Sequence, residues 1–295
     1  MTLPNVHIIG VQKAATTSLF YWLGQHTDIY APLSAKDYPI FASDAIWDKG
    51  LDNYAGLFRN SNKEKIVLAG SVHTLKFSHA RERLKQAFPE SKLIVVLRDP
   101  VDRLLSAYNY RVKFGVEALG FEEALNQEEL RAVSESFEDR AGGAYVTHGF
   151  YHQQLVALLK LYNTMDIKLV WFEDLSENPA NTVNEIFKFL GVKPDESINF
   201  DKKNVTGKTK NKLMSNLIFG ENKFRQWLVK TIISKIIPLE QRSKIRHWIS
   251  EKNTSHSPPP EVKGFDRKSL IPLFINDIQA LEGLTKRDLS AWKKE

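Results

Sequence analysis

The stretch Val6-His7-Ile8-Ile9-Gly10-Val11-Gln12-Lys13-Ala14-Ala15-Thr16-Thr17-Ser18-Leu19-Phe20-Tyr21-Trp22-Leu23 decides the fold. Its opening residues, Val6 to Val11, form a short apolar run rich in β-branched side chains, which predicts a buried strand. Thr16, Thr17 and Ser18 then offer N-cap chemistry to a helix carrying Leu19, Phe20, Trp22 and Leu23. A strand that passes through a tight loop into a helix is the unit of an open parallel sheet, where ligands bind at the carboxyl ends of strands. The helix N-terminus there presents unpaired N–H groups and a positive dipole end, which suits a phosphate. Lys13 adds a cation, and Thr16, Thr17 and Ser18 add hydroxyl donors. The NTP-binding pattern G-x-x-x-x-G-K-[ST] is absent, because the lysine comes early and no Ser or Thr follows it directly. No Walker-type magnesium site is implied.

The same alternation runs on along the chain. Ile66-Val67-Leu68-Ala69, Lys92 to Leu97 and Ile167 to Phe172 read as further buried strands. Between them, helical spacing joins Leu84, Ala87 and Phe88, then Val101, Leu104, Leu105 and Tyr108, then Leu155, Leu158, Leu159 and Tyr162. A fourth helix carries Val183, Ile186, Phe187 and Leu190 and closes at Gly191. The pattern predicts an α/β fold: a P-loop-like parallel sheet with helices on both faces. Residues 201–295 hold no convincing strand and read as a helical extension broken at Ser257-Pro258-Pro259-Pro260, so 1–295 is expected to be one domain. The shape of 42–62 and 111–148 does not follow from the sequence.

At 295 residues, with 42% hydrophobic and 26% charged residues, the chain is an ordinary globular protein, not a disordered, collagen-like or coiled-coil one. It has no cysteine, which excludes disulfides, zinc ribbons and a thiol nucleophile. The start of the chain is too short an apolar run for a signal peptide and no stretch is long enough to span a bilayer, so a cytoplasmic protein is expected. Charge is uneven. Residues 1–200 carry 21 basic and 25 acidic side chains, whereas 201–295 carry 20 and 10. A basic last third suits an anionic partner. Nucleic acid is not expected, since no recognised module or basic–aromatic repeat appears.

A second motif follows the strand at Lys92–Leu97: Arg98-Asp99-Pro100-Val101-Asp102-Arg103-Leu104-Leu105-Ser106-Ala107-Tyr108. Asp99 suits a helix cap and Pro100 its first turn. Neither explains Arg98, whose guanidinium fork could share one phosphate with the Ser106 hydroxyl. The two motifs together resemble those of the sulfotransferases that use 3′-phosphoadenosine 5′-phosphosulfate (PAPS). Gln12-Lys13-Ala14-Ala15-Thr16-Thr17-Ser18-Leu19 is similar to the family's 5′-phosphosulfate loop, [QP]-K-[SATG]-G-T-[ST]-x-L. The segment from Arg98 to Tyr108 matches its 3′-phosphate motif, R-[DN]-P-x-[DE]-R-x-x-S-x-[YW], throughout. The resemblance implies PAPS as donor and 3′,5′-adenosine diphosphate as product, with no metal required. It assigns Arg98 and Ser106 to the 3′-phosphate and leaves Arg103 to pair with a carboxylate. Ala15 stands where the family has Gly, which predicts a right-handed or differently bent backbone there.

The bacterial carbohydrate and heparan-sulfate branches carry K-E-x-x-[FY]-F about two dozen residues beyond the lysine, and Lys36-Asp37-Tyr38-Pro39-Ile40-Phe41 is similar to it. By that resemblance Asp37 is the base, one methylene shorter than the usual Glu, and Lys36 joins Lys13. His73, after the strand ending near Gly70-Ser71, is the rival base. The segments from His148 to Leu155 and from Phe172 to Gly191 resemble later stretches of the same branch, mostly packing and capping. The loop Asn204 to Lys210 resembles the one that closes over the cofactor, which would bring Lys208 or Lys210 to a phosphate. The resemblance implies a carbohydrate or glycolipid acceptor. Residues 223–249 alternate isoleucines and aromatics with Lys and Arg, as a helix on an anionic membrane would, or one packed on the domain. Two other readings stay open on the residues alone: a P-loop nucleotide kinase, and a non-catalytic PAPS- or glycan-binding module.

Overall fold

The computed structural model describes residues 2–200 and 266–294. The segment Asn204–Lys210 with Lys208 and Lys210, the proline-rich break and the basic stretch 223–249 all lie outside the described residues.

Five parallel strands form one sheet: β1 (Val6–Gly10), β2 (Ile29–Tyr30), β3 (Ile66–Gly70), β4 (Lys92–Leu97) and β5 (Ile167–Trp171), in the order β2-β3-β1-β4-β5. β1 is the centre, with Ile8 opposite Gly70 on one side and Ile94 on the other. Its apolar run is buried throughout because both faces of the sheet are covered. The two-residue β2, paired through Ile29 with Ile66, shows no periodicity in sequence and was not expected. Phe172, read as strand, instead begins a helix.

The connecting helices are α1 (Thr16–Leu23), α2 (Asp44–Trp47), α3 (Leu51–Ala55), α4 (Ser78–Ala87), α5 (Pro100–Lys113), α6 (Phe121–Asn126), α7 (Glu128–Ala132), α8 (Phe137–Gly142), α9 (Tyr151–Leu159), α10 (Phe172–Glu177), α11 (Pro179–Leu190) and α12 (Arg267–Thr285). Right-handed crossovers put α1 on one face, because β1 to β2 runs opposite to β3 to β4 and β4 to β5, and put α4 on the other. α11 returns to the α1 face, where Phe187 meets His26 at 4.8 Å between ring centroids. As the sequence predicts, α11 stops at Gly191 with φ 74°, a left-handed cap that costs glycine nothing.

The described residues fall into two compact units, 2–103 with 146–200 and 266–294, and 104–145. The first holds the whole sheet. The second is organised on buried Glu117, which takes both Arg131 nitrogens at 2.7 and 3.0 Å and the Tyr145 hydroxyl at 2.7 Å. Burial alone would raise the Glu117 carboxyl, but these hydrogen bonds carry it below its ordinary value.

The sheet's chain reversal sits at β1, whose outgoing connection runs toward β2 while those leaving β2, β3 and β4 run the other way, and the crevice at such a switch point is where open α/β sheets bind ligands. The β1 register slips between Ile8 and Gly10, and Val11 N–H then bonds to the Val96 carbonyl. On the other flank Leu75 N–H bonds to the Ile9 carbonyl, and a Cβ on Gly10 would stand 3.1 Å from that of Leu75. Glycine therefore lets the turn after β3 close onto the end of β1.

Candidate active site

The loop after β1 turns through two left-handed residues, Lys13 at φ 70° and Ala15 at φ 59°. Of the two backbones expected at Ala15, right-handed or differently bent, the right-handed one is overturned: Ala15 holds the left-handed conformation a glycine would take more cheaply. Thr16, expected at the cap, is instead the first helical residue. Ala15 occupies the N-cap, and its methyl can accept nothing from the helix's first N–H groups. Those donors are left to whatever sits in the loop. Ala14, Thr16 and Ser18 are buried, and Gln12, Lys13 and Thr17 are half-buried.

Arg98 follows β4 directly. Its Nη1 donates to the Lys13 carbonyl at 3.0 Å, its guanidinium lies 4.4 Å from the Phe172 ring centroid, and the Tyr151 hydroxyl donates to its carbonyl at 2.8 Å. Asp99 caps α5 as its sequence suggests, with Oδ1 accepting from Val101 N at 2.9 Å and Asp102 N at 3.1 Å. Ser106 is half-buried on α5, about two turns beyond Asp99. Arg103 is fully buried. The motif's two carboxylates are both held by Arg267 of α12, a partner no sequence pattern announces.

On the β3 side, Lys36 and Asp37 follow a turn of 3₁₀-helix, Leu33–Ala35. A Cβ on Gly70 would lie 3.4 Å from Lys36 Cδ and 3.8 Å from Asp37 N, so the bare strand end admits this backbone closely. Lys36 Nζ pairs with Asp37 Oδ1 at 2.5 Å. Asp37 itself is exposed and left-handed, φ 59°. His73 lies within the field of both residues. Burial lowers its pKa to about 4, against the pull of Asp37 and with the push of Lys76 and Lys36. Its ring sits 5.5 Å from that of fully buried His148.

Two polar atoms that the sequence did not single out, Ser71 Oγ and Thr74 Oγ1, are buried and, like Arg98 Nε, have no hydrogen-bond partner among the described residues. Buried polar groups are nearly always paired, so such atoms mark where a polar ligand belongs. The signal for Ser71 and Thr74 was their position, just past the end of β3.

A sequence model of the sulfotransferase domain matches residues 3–257. The chain belongs to that family. It is 30% identical over 190 residues to heparan sulfate glucosamine 3-O-sulfotransferase 6 of Mus musculus, covering 64% of this chain and 53% of that protein. It is 29% identical over 202 residues to the bifunctional heparan sulfate N-deacetylase/N-sulfotransferase 2 of Homo sapiens, covering 65% of this chain and 22% of that protein. The chain thus spans at most about half the length of such relatives. The crystal structure of a sulfotransferase from Alicyclobacillus acidocaldarius superposes with TM-score 0.70 at 25% identity, covering all of both chains. Family membership implies PAPS as the sulfuryl donor.

Proposed function

We propose that the protein moves a sulfuryl group from PAPS to a hydroxyl, less readily an amine, of a carbohydrate or glycolipid acceptor. The reading is supported by the 3.0 Å hydrogen bond from Arg98 to the Lys13 carbonyl, which joins the residue after β4 to the loop after β1. The residues there fit a doubly anionic nucleotide. The uncapped α1 N-terminus, Lys13 and the hydroxyls of Thr16, Thr17 and Ser18 suit the 5′-phosphosulfate, together with the backbone of Gln12, Ala14 and Ala15. Arg98 and Ser106 suit the 3′-phosphate. Lys208 and Lys210 are assigned to the same nucleotide by family resemblance alone.

When bound, the donor supplies a sulfur that gains a bond to the acceptor oxygen as its bond to the phosphate oxygen breaks, the electron pair leaving with the phosphate. Asp37 takes the acceptor's proton, and Lys36 orients its carboxylate. The close approach of the Asp37 backbone to Gly70 supports the use of an acid one methylene shorter than Glu. His73 is the second candidate for that proton and stands neutral in the same crevice. Lys13 balances the charge that grows on the leaving oxygen, a preorganised role needing no movement during the reaction.

No helix among the described residues is long and apolar enough to cross a membrane. A cytoplasmic site, with 223–249 resting on an anionic membrane, accompanies the proposal, and sedimentation with anionic vesicles tests that contact. The function itself is tested by transfer of labelled sulfate from PAPS onto a panel of sugars, glycolipids and phenols, with calorimetry of 3′,5′-adenosine diphosphate against ATP and GTP. Transfer to a glycan and preference for the bisphosphate are expected. Tight binding without transfer to any acceptor would make the protein a binding module, and preference for ATP a kinase.

A further inference from the structure

The Arg98–Asp99 peptide is gripped on every side by residues remote in sequence. Tyr151 donates to the Arg98 carbonyl at 2.8 Å, and Asp99 N–H donates to Glu173 Oε1 at 3.4 Å. Glu173 Oε1 is in turn held by Trp292 Nε1 at 3.2 Å. Arg267 then forks across two carboxylates, Nη2 on Asp99 Oδ2 and Nη1 on Asp102 Oδ1 at 2.6 Å. Asp99 is buried, so its charge needs this partner. The same terminal helix reaches Tyr151 by another route. Asp277 accepts from the N–H of His152 at 3.0 Å, capping α9, whose own N-cap residue Phe150 supplies no side-chain acceptor. Phe274 closes the joint: a Cβ on Gly149 would stand 2.6 Å from its ring, and 3.1 Å from Pro100.

We infer that Arg267 is a positioning residue for the donor's 3′-phosphate: α12 and the turn after it form a clasp that fixes the Arg98–Asp99 strand end, and with it the direction of the Arg98 guanidinium. The inference rests on the nucleotide reading above. Arg267 touches no reacting group. It acts through Asp99, which both caps α5 and adjoins Arg98. A flat, forked cation is required, because only that shape serves two carboxylates at once. The clasp therefore acts most on the half of the nucleotide that carries the 3′-phosphate and reaches the loop at Lys13–Ser18 only through the hydrogen bond from Arg98 to the Lys13 carbonyl.

Binding of 3′,5′-adenosine diphosphate and of 5′-AMP by calorimetry, on the full chain, separates these roles. Arg267→Met is expected to weaken the bisphosphate about tenfold and 5′-AMP far less, a loss of the size that follows removal of an outer partner of a ligand-holding group. Arg267→Lys, which keeps the charge and loses the fork, should weaken it by less, with the same selectivity and an unchanged fold by circular dichroism. Arg287→Met, which removes a surface pair with Asp174 in the same terminal segment, should alter neither ligand. Equal weakening of both nucleotides in Arg267→Lys, or no weakening of the bisphosphate in either Arg267 variant, overturns the clasp while leaving the nucleotide site standing. Wild-type protein that binds the bisphosphate no better than 5′-AMP overturns both.

Discussion

Arg98 Nη1 donates to the carbonyl oxygen of Lys13, 85 residues earlier in the chain. One guanidinium thus braces the loop that carries Lys13 and, on the proposed reading, also serves the 3′-phosphate. Removing it should therefore do two things at once. Arg98→Met is expected to raise the dissociation constant for 3′,5′-adenosine diphosphate about 10–100-fold, the worth of one charged hydrogen-bonding group. Isothermal titration checks the first effect. Single-turnover transfer at saturating PAPS checks the second, a slower chemical step from the loosened loop.

Lys13→Ala should behave differently. Its charge matters most as the leaving oxygen gains negative charge, so turnover is expected to fall about 10²–10³-fold, more than affinity for the desulfated product does. Turnover near that of the wild type would remove Lys13 from the mechanism.

The proton acceptor can be told apart by substitution. Burial lowers the pKa of His73 to about 4, so an acid limb in the rate set by His73 would lie near that pH. Asp37→Asn is expected to slow transfer about 10²–10⁴-fold with nucleotide affinity intact. His73→Asn should lower the rate less and leave the limb's position where it was. A limb that disappears in His73→Asn would reverse the assignment.

Ala15 at φ 59° carries the cost of a left-handed alanine. Ala15→Gly should stabilise the fold by about 0.5–1 kcal/mol, the relief of strain exceeding glycine's extra flexibility in the unfolded chain. A rise in the urea midpoint at constant slope reports it.

His7 is buried in the sheet against Ser91 Oγ at 2.7 Å, and burial lowers its pKa from 6.5 to about 3. Its folded value lies below its unfolded one, so the unfolded chain takes up the proton first. The contribution is complete above pH 6.5 and drains away as pH falls toward 3. It amounts to on the order of 4 kcal/mol. His7→Gln, which cannot titrate, should flatten the decline of urea midpoint with pH in that window.

Much of this crevice was legible in the chain because local chemistry wrote it. Buried strands announce themselves as β-branched runs, and Asp99-Pro100 announces a helix start, so β1, β3, β4, β5 and α5 could be read directly. β2 is two residues long and too short to show a period. The cap of α1 was misread because Thr16 to Ser18 have capping side chains but lie one position inside the helix. Arg267 was invisible for another reason: it meets Asp99 across 168 residues, and no spacing rule links an arginine in one helix to a carboxylate so remote. The pairing of Lys36 with Asp37 was also missed, since neighbours in sequence rarely face each other in regular structure and do so here only because Asp37 turns left-handed.

The central place of β1 divides the proposed labour between its two flanks. On the proposed reading the β4 flank, with Arg98, serves the donor, and α12 braces it through Asp99. The β3 flank, with Asp37, Gly70 and His73, would serve the acceptor, and it is tied to β1 separately through Leu75. Substitutions on that second flank would then alter the choice of acceptor while the currency stays the same.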